Sequence, residues 1–378
     1  MRRRILIWIA AIVLLLAACN NDTTTTQPPQ ESEQSAPPSE TMVVQPDATP
    51  EAVQTPVQTD TIQDPEPEPS GETLNPLTGL PMDEELINDR PVAVMLNNIK
   101  AALPQQGVAQ ADIIYEVLAE GGITRMLGVY QSMNGVGTIG SVRSTRTYFL
   151  ELVLGHDAVF LHAGGSPDAY NKISAWNVTS LDCVNGPYEG SLFWRDAGRL
   201  AMMSKEHTVV TSGEKIQELF PKYSFRKEHA EGYSNGMLFV ANGTPETGSA
   251  AKEIVVPFSD YKTGVFTYDD VSGKYLVEEF GSAYVDGNTG EQVAVTNVLI
   301  LKTDCAVIKG DTAGRITVDL SQGEGWFACG GKIIPINWSK GNVNDPFKYT
   351  TKDGHPLTFG AGTSYINIVP LNSEITVK

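Results

Sequence analysis

The sequence predicts a mixed α+β chain, with an α/β-type region over 74–248 followed by an all-β region over 249–378. Three observations carry that expectation. Between Leu74 and about Gly248, short apolar runs alternate with amphipathic stripes and helix-capping signals, the pattern of strands interleaved with helices. From about Ala250, apolar segments recur roughly every ten residues between turn dipeptides, with no helical stripe. At Thr73 the composition breaks, and a proline-rich acidic stretch gives way to apolar periodicity.

The N-terminus reads as an address. In residues 1–18, three arginines precede an apolar run from Ile5 to Ala18. That is the layout of an export signal peptide, too short for an ordinary spanning helix. Leu16-Ala17-Ala18-Cys19 resembles a bacterial lipobox. The resemblance implies cleavage before Cys19 and a diacylglycerol on its sulfur. Two acyl chains anchor firmly, since each buried methylene contributes about 0.8 kcal/mol. The mature chain is therefore expected at the outer face of a bacterial cytoplasmic membrane, held through lipid on Cys19. Residues 19–73 follow as a tether. Asn20 to Thr73 holds ten of the 23 prolines, eleven acids and no Lys or Arg. Such a segment cannot bury enough apolar surface to fold, and like-charge repulsion extends it to a reach on the order of 150 Å.

Each later element has a local reason. Pro91–Leu96, Asp112–Leu118 and Asp157–His162 are apolar runs of strand length bounded by polar residues. Tyr148, Phe149, Leu152 and Val153 form one stripe and Gly155 follows it, predicting a helix over Ser144–Leu154. Ser166 suits an N-cap and Pro167 a first helical position, predicting a helix over Asp168–Ala175. Ser212–Phe220 is a further short helix. In the second region, strands are expected at Lys252–Phe258, Gly264–Tyr268, Lys274–Phe280, Val293–Leu301, Gly314–Leu320, Gly325–Cys329, Lys332–Trp338, Pro346–Thr350 and Ser364–Val369. Ser272-Gly273, Asp286-Gly287, Thr289-Gly290 and Asp353-Gly354 punctuate them. The spacing suggests a sandwich or barrel-like β domain.

Several classes are excluded. The formal charge is −18, and −10 over residues 74–378, where 24 basic residues face 34 acids. Nucleic acid is an unsuitable partner for such a chain. No P-loop, G-x-G-x-x-G, H-E-x-x-H or Cys-x-x-Cys occurs, so no metal and no cofactor is expected. Cys183, Cys305 and Cys329 remain once Cys19 is lipidated, an odd number. Cys305 and Cys329 could close a loop of about 24 residues, contributing roughly 3 kcal/mol in the entropic model; buried reduced thiols are the other reading.

The chain resembles the YerB-like bacterial lipoprotein family, whose folded part is a two-piece domain of unknown function. The segments that carry the resemblance are NPLTGL (75–80), RPVAVMLNN (90–98), ADIIYEVLAEGGITR (111–125), IGSVRSTRTYF (139–149) and HAGGSPDAY (162–170). Gly314-Arg315, Trp338–Lys340 and Gly362–Pro370 carry it in the second region. It implies a lipid-anchored envelope protein with an α/β part and a β part, and no activity.

Chemistry concentrates in the first region. Arg143 and Arg146 flank the predicted start of a helix, where positive charge opposes the dipole by about 0.3–1 kcal/mol each. Something anionic should sit beside them. Helix N-termini accept anions and arginine adds a bidentate fork. The Gly164-Gly165-Ser166 turn opens a second helix on the same expected sheet edge. Arg125, Arg143, Arg146, Gly164, Gly165 and Ser166 are thus the candidate ligand-binding residues. Equally, the arginines could simply pair with Glu116 and Glu120. Glu116, Glu120 and His162 are weak catalytic candidates; Gly165-Ser166-Pro167 lacks the G-x-S-x-G of a nucleophile elbow. The expected function is a non-enzymatic binding or scaffold module for an anionic cell-envelope ligand, such as a cell-wall polymer, or for an envelope protein partner. The alternative is an envelope hydrolase or transferase acting on a wall polymer at an Arg/Glu/His cleft. Convergence of these side chains on an open pocket distinguishes the two.

Overall fold

A sheet of eleven strands runs through both sequence regions in the computed structural model, which describes residues 73–378. The expected signal peptide, Cys19 and nearly all of the acidic tether lie outside the described residues. Ten strands follow one another in the order Ser249–Ala250, Lys332–Lys340, Gln322–Cys329, Asn297–Thr303, Ser364–Pro370, Ile113–Leu118, Thr124–Tyr130, Val92–Asn98, Val159–His162, Ser180–Asp182. Phe347–Thr351 adds to Lys332–Lys340. The regions meet where Ser364–Pro370 pairs in parallel with Ile113–Leu118, Ser364 opposite Ile113 and Ile368 opposite Val117. The same strand pairs in parallel with Asn297–Thr303 on its other side. Flanked on both edges and covered on both faces, it reads INIV as an unbroken buried run.

The two faces of the sheet bury alternate residues of each strand, as a period of two requires. Ala93 and Met95 face the core that holds Tyr148, Phe149, Leu152 and Val153 of the helix Thr147–Gly155. Val92, Val94 and Leu96 face the opposite core, shared with Ile254, Val256, Phe266, Tyr275 and Val277. Those last five belong to a second, six-stranded antiparallel sheet built on Glu253–Pro257, Thr263–Asp269 and Lys274–Glu279. The β region is thus one layer of a sandwich plus half of the other layer. The first region completes that other layer, so the edge of Ser364–Pro370 is paired rather than open.

Two local differences from the expected elements matter for the site. The helix begins at Thr147, not Ser144. Arg143 N–H donates to Met95 O (2.8 Å) and Thr145 N–H to Gly164 O (3.0 Å), which holds residues 143–145 extended. Thr124–Tyr130 is a fully buried central strand that apolar periodicity does not single out. Arg125 and Gly128 interrupt its pattern. Gly128 is required, because a Cβ there would lie 2.9 Å from the Tyr130 hydroxyl.

Candidate functional site

The arginines gather at the end of the central sheet. Glu120 sits in the turn after strand Ile113–Leu118, a turn made by Gly121 and Gly122 at positive φ. Arg125 is the second residue of the next strand, opposite Asn97 and Val117. Arg146 is the N-cap of the helix Thr147–Gly155, with no side-chain cap. All three side chains meet. Arg125 Nη2 lies 2.7 Å from Glu120 Oε1, and Arg146 donates to both Glu120 oxygens, its Nε at 3.0 Å from Oε2. Arg125 also donates to Ser144 O. Arg143 is half-buried and donates to the Glu206 backbone oxygen (3.2 Å).

The anion expected beside the helix start is therefore Glu120. Its carboxylate serves two guanidiniums, those of Arg125 and Arg146. Burial, and then the neighbouring Arg146, push Arg125 down to about 10. Burial also lowers Arg143, against the Glu206 carboxylate, which raises it, and with Arg146, which lowers it further. Burial alone would raise Glu120, yet Arg125 and Arg146 hold it below the usual carboxylate range. The cluster keeps a positive surplus.

The Gly164-Gly165-Ser166 turn lies beside this loop, with Thr145 bridging Gly165. Two of its backbone donors are engaged, Ser166 N–H by Thr145 O (3.2 Å) and Gly164 N–H by Asp182. Gly164 N–H donates to Asp182 Oδ1 (2.8 Å), as does Val184 N–H (2.9 Å), and Tyr170 donates to Asp182 Oδ2 (2.7 Å). Ser166 Oγ accepts from Ala169 N–H (3.2 Å) as a helix cap. Asp182 thus occupies the Gly164 side of the turn read from the sequence as an anion cradle. His162 is fully buried beneath it, its ring nitrogens 2.8 Å from Gly164 O and 2.6 Å from Ser180 Oγ; burial lowers its pKa. It orients the turn and does not face an open cleft.

Glu116 is elsewhere. It lies on the opposite face of the sheet from Arg125, in a fully buried triad with Lys262 and Glu279. Lys262 Nζ stands 2.9 Å from Glu116 Oε1 and contacts Glu279 Oε2. Asn98 (2.9 Å), Thr124 (2.5 Å) and Tyr365 (2.6 Å) also donate to Glu116. Burial would raise the Glu116 carboxyl, but Lys262, Thr124 and Tyr365 hold it low. Burial and the Glu116 charge push Glu279 up to about 8. Glu116, Glu120 and His162 therefore occupy three separate networks, and the pairing expected between Glu116 and the arginines is not made.

Of the two readings open for Cys305 and Cys329, a bond or reduced thiols, the structure has the second: Cys183, Cys305 and Cys329 are all free. Cys329 is in register with Asn297, at the far end of the strand whose chain continues to Cys305. Eight extended residues separate those positions, about 26 Å, far beyond disulfide reach. Burial raises all three thiols, to about 11 or 12.

The sequence left Lys262 and Glu279 unmarked. Glu279 carried a signal: it continues the inward alternation of Tyr275 and Val277. Glu116 stands likewise inside an apolar run. A buried carboxylate demands a cation, but nothing local names Lys262, which arrives from a turn nearly 150 residues downstream.

Two family models match the chain. Residues 77–226 match the N-terminal domain, and 254–366 the C-terminal domain, of the protein of unknown function DUF3048. The chain belongs to the DUF3048 family. A Bacillus subtilis (strain 168) relative described as "Putative lipoprotein YerB" is 35% identical over 304 residues, covering 78% of this chain and 86% of the relative. A crystal structure of the YerB protein from Bacillus subtilis superposes with a TM-score of 0.69 at 31% identity, covering 81% of this chain and all of that one. The DUF3048 models meet the chain on either side of residues 227–253, and the boundary expected at 248/249 falls in that gap. The DUF3048 halves are separate in sequence and joined in one sheet.

Proposed function

We propose that this DUF3048 protein is a non-enzymatic binding module, tethered through lipid on Cys19 outside the cytoplasmic membrane, that holds an anionic group of a cell-envelope ligand at Arg125, Arg143 and Arg146. The observation that carries the reading is the charge imbalance: Glu120 pairs with Arg125 and Arg146 only, and Arg143 donates to the Glu206 backbone oxygen and makes no carboxylate ion pair among the described residues, leaving three guanidiniums beside the carboxylates of Glu120 and Glu206. Arginine forks match carboxylate or phosphate geometry, and a partly desolvated cationic cluster gains from a second anion. Arg125 and Arg146 hold Glu120 and form the floor; Arg143 supplies the half-exposed donor. The lipobox resemblance and the lipoprotein description of the relative support the anchored placement.

The test is binding of a phosphate-bearing wall polymer, measured by calorimetry at two salt concentrations. Wild type should bind, and more weakly at high salt. Arg143→Ala should weaken binding at least fivefold. Equal binding by Arg143→Ala and wild type sinks the proposal.

A further inference from the structure

On another part of the surface, a groove of about 1140 Å³ opens between segments 74–88 and 228–241. It exceeds the roughly 300–1,000 Å³ typical of small-molecule sites. Leu74, Leu80, Met237, Leu238, Phe239 and Val240 give it an apolar floor. One wall is the short strand Leu238–Val240, which pairs in parallel with Thr358–Gly360. Among the described residues its other edge makes no backbone hydrogen bond. A strand edge beside an apolar trough is where an extended peptide adds as a further strand.

Charge selects the occupant. Glu228 and Glu231 line the groove, both exposed, and their carboxylates make no hydrogen bond or ion pair among the described residues. Asp89 adds to the same field: burial, and then Glu228, raise its pKa. The lining includes no Lys or Arg. The chain's own segment 20–73 joins the described residues at this rim but carries eleven acids and no basic residue, so like-charge repulsion disfavours it. We propose that the groove receives an extended peptide segment of a partner protein with alternating apolar and basic side chains, its backbone pairing with Leu238–Val240 and its cations facing Glu228 and Glu231. This site stands apart from the arginine cluster and does not depend on it.

The test uses three labelled octapeptides and residues 73–378 within the full chain: alternating Lys and Val, alternating Glu and Val, and the Lys peptide with alternate backbone nitrogens methylated. Fluorescence anisotropy should show the Lys peptide binding at least tenfold more tightly than either control. The double variant Glu228→Lys/Glu231→Lys should reverse the preference between the Lys and Glu peptides. The proposal is overturned if no peptide binds at millimolar concentration. It is equally overturned if methylation has no effect, or if charge reversal leaves the preference as it was.

Discussion

Glu116 and Glu120 are four residues apart, yet they anchor opposite kinds of charge cluster. Glu116 lies under the sheet with Lys262 and Glu279, all three side chains wholly shielded from solvent. Glu120 lies at the sheet's end with Arg125 and Arg146, where its own side chain is 21% exposed. The first cluster joins the two sequence regions and has two carboxylates on one cation. The second has two guanidiniums on one carboxylate, with Arg143 beside them, and reaches water. A sealed cluster must balance its charge internally, because an unpaired buried ion costs several kcal/mol. An open cluster can leave its surplus to solvent or to a ligand. The contrast separates an internal clasp from a binding surface.

Lys262→Met is the severest way to break the contrast. It leaves Glu116 ionised with only neutral donors, Asn98, Thr124 and Tyr365. Removing one partner of a buried pair costs about 3–5 kcal/mol, a large share of the roughly 5–15 kcal/mol that holds a typical domain. Urea unfolding should show that loss as a lower midpoint. A loss below about 1 kcal/mol means that the clasp does not join the regions.

Glu279→Gln sharpens the same cluster through pH. The Glu279 carboxyl is pushed from 4.5 up to about 8 by burial and by Glu116. Between those values the folded chain keeps a proton that the unfolded chain has lost, so this group's contribution is present at low pH and fades as pH rises towards 8. Asp112 and Glu151, also raised by burial, act in the same direction, whereas the buried His156 and His162, lowered by burial, act oppositely. The informative quantity is therefore the difference between wild type and Glu279→Gln. Unfolding midpoints at pH 5 and pH 8 should show wild type losing ground to the variant as pH rises. A difference independent of pH contradicts a protonated Glu279.

Much of this frame was legible from local pattern, and the exceptions share a cause. The helix stripe Tyr148, Phe149, Leu152 and Val153 and the cap at Ser166 are local, and the structure keeps them. The strand Thr124–Tyr130 was hidden because Gly128 serves the Tyr130 ring and Arg125 serves Glu120, both tertiary demands. At the arginine loop, sequence identified the wrong-sign charge at a helix start but not its resident anion, because Glu120 reaches Arg146 from 26 residues away. The clasp was least legible. Its three charges come from a strand, a turn and a strand of a second sheet, and only the alternation at Glu279 hinted at it.

Glu120→Gln tests the open cluster with the smallest expected cost. Arg146 can turn to water, and Arg125 keeps its bond to Ser144 O. The stability loss should be about 2 kcal/mol, between that of an exposed pair and that of a sealed one, because Arg125 is itself buried. Removing the resident carboxylate also adds one positive charge to the seat. If the cluster takes an anion, affinity for a phosphate-bearing polymer should rise about fivefold at low salt, the worth of one screened charge at a few ångströms. Stability and binding then move in opposite directions, which a purely structural strut cannot produce. A destabilisation as large as that of Lys262→Met, with no gain in binding, makes Glu120 a second clasp and removes the distinction between the two clusters.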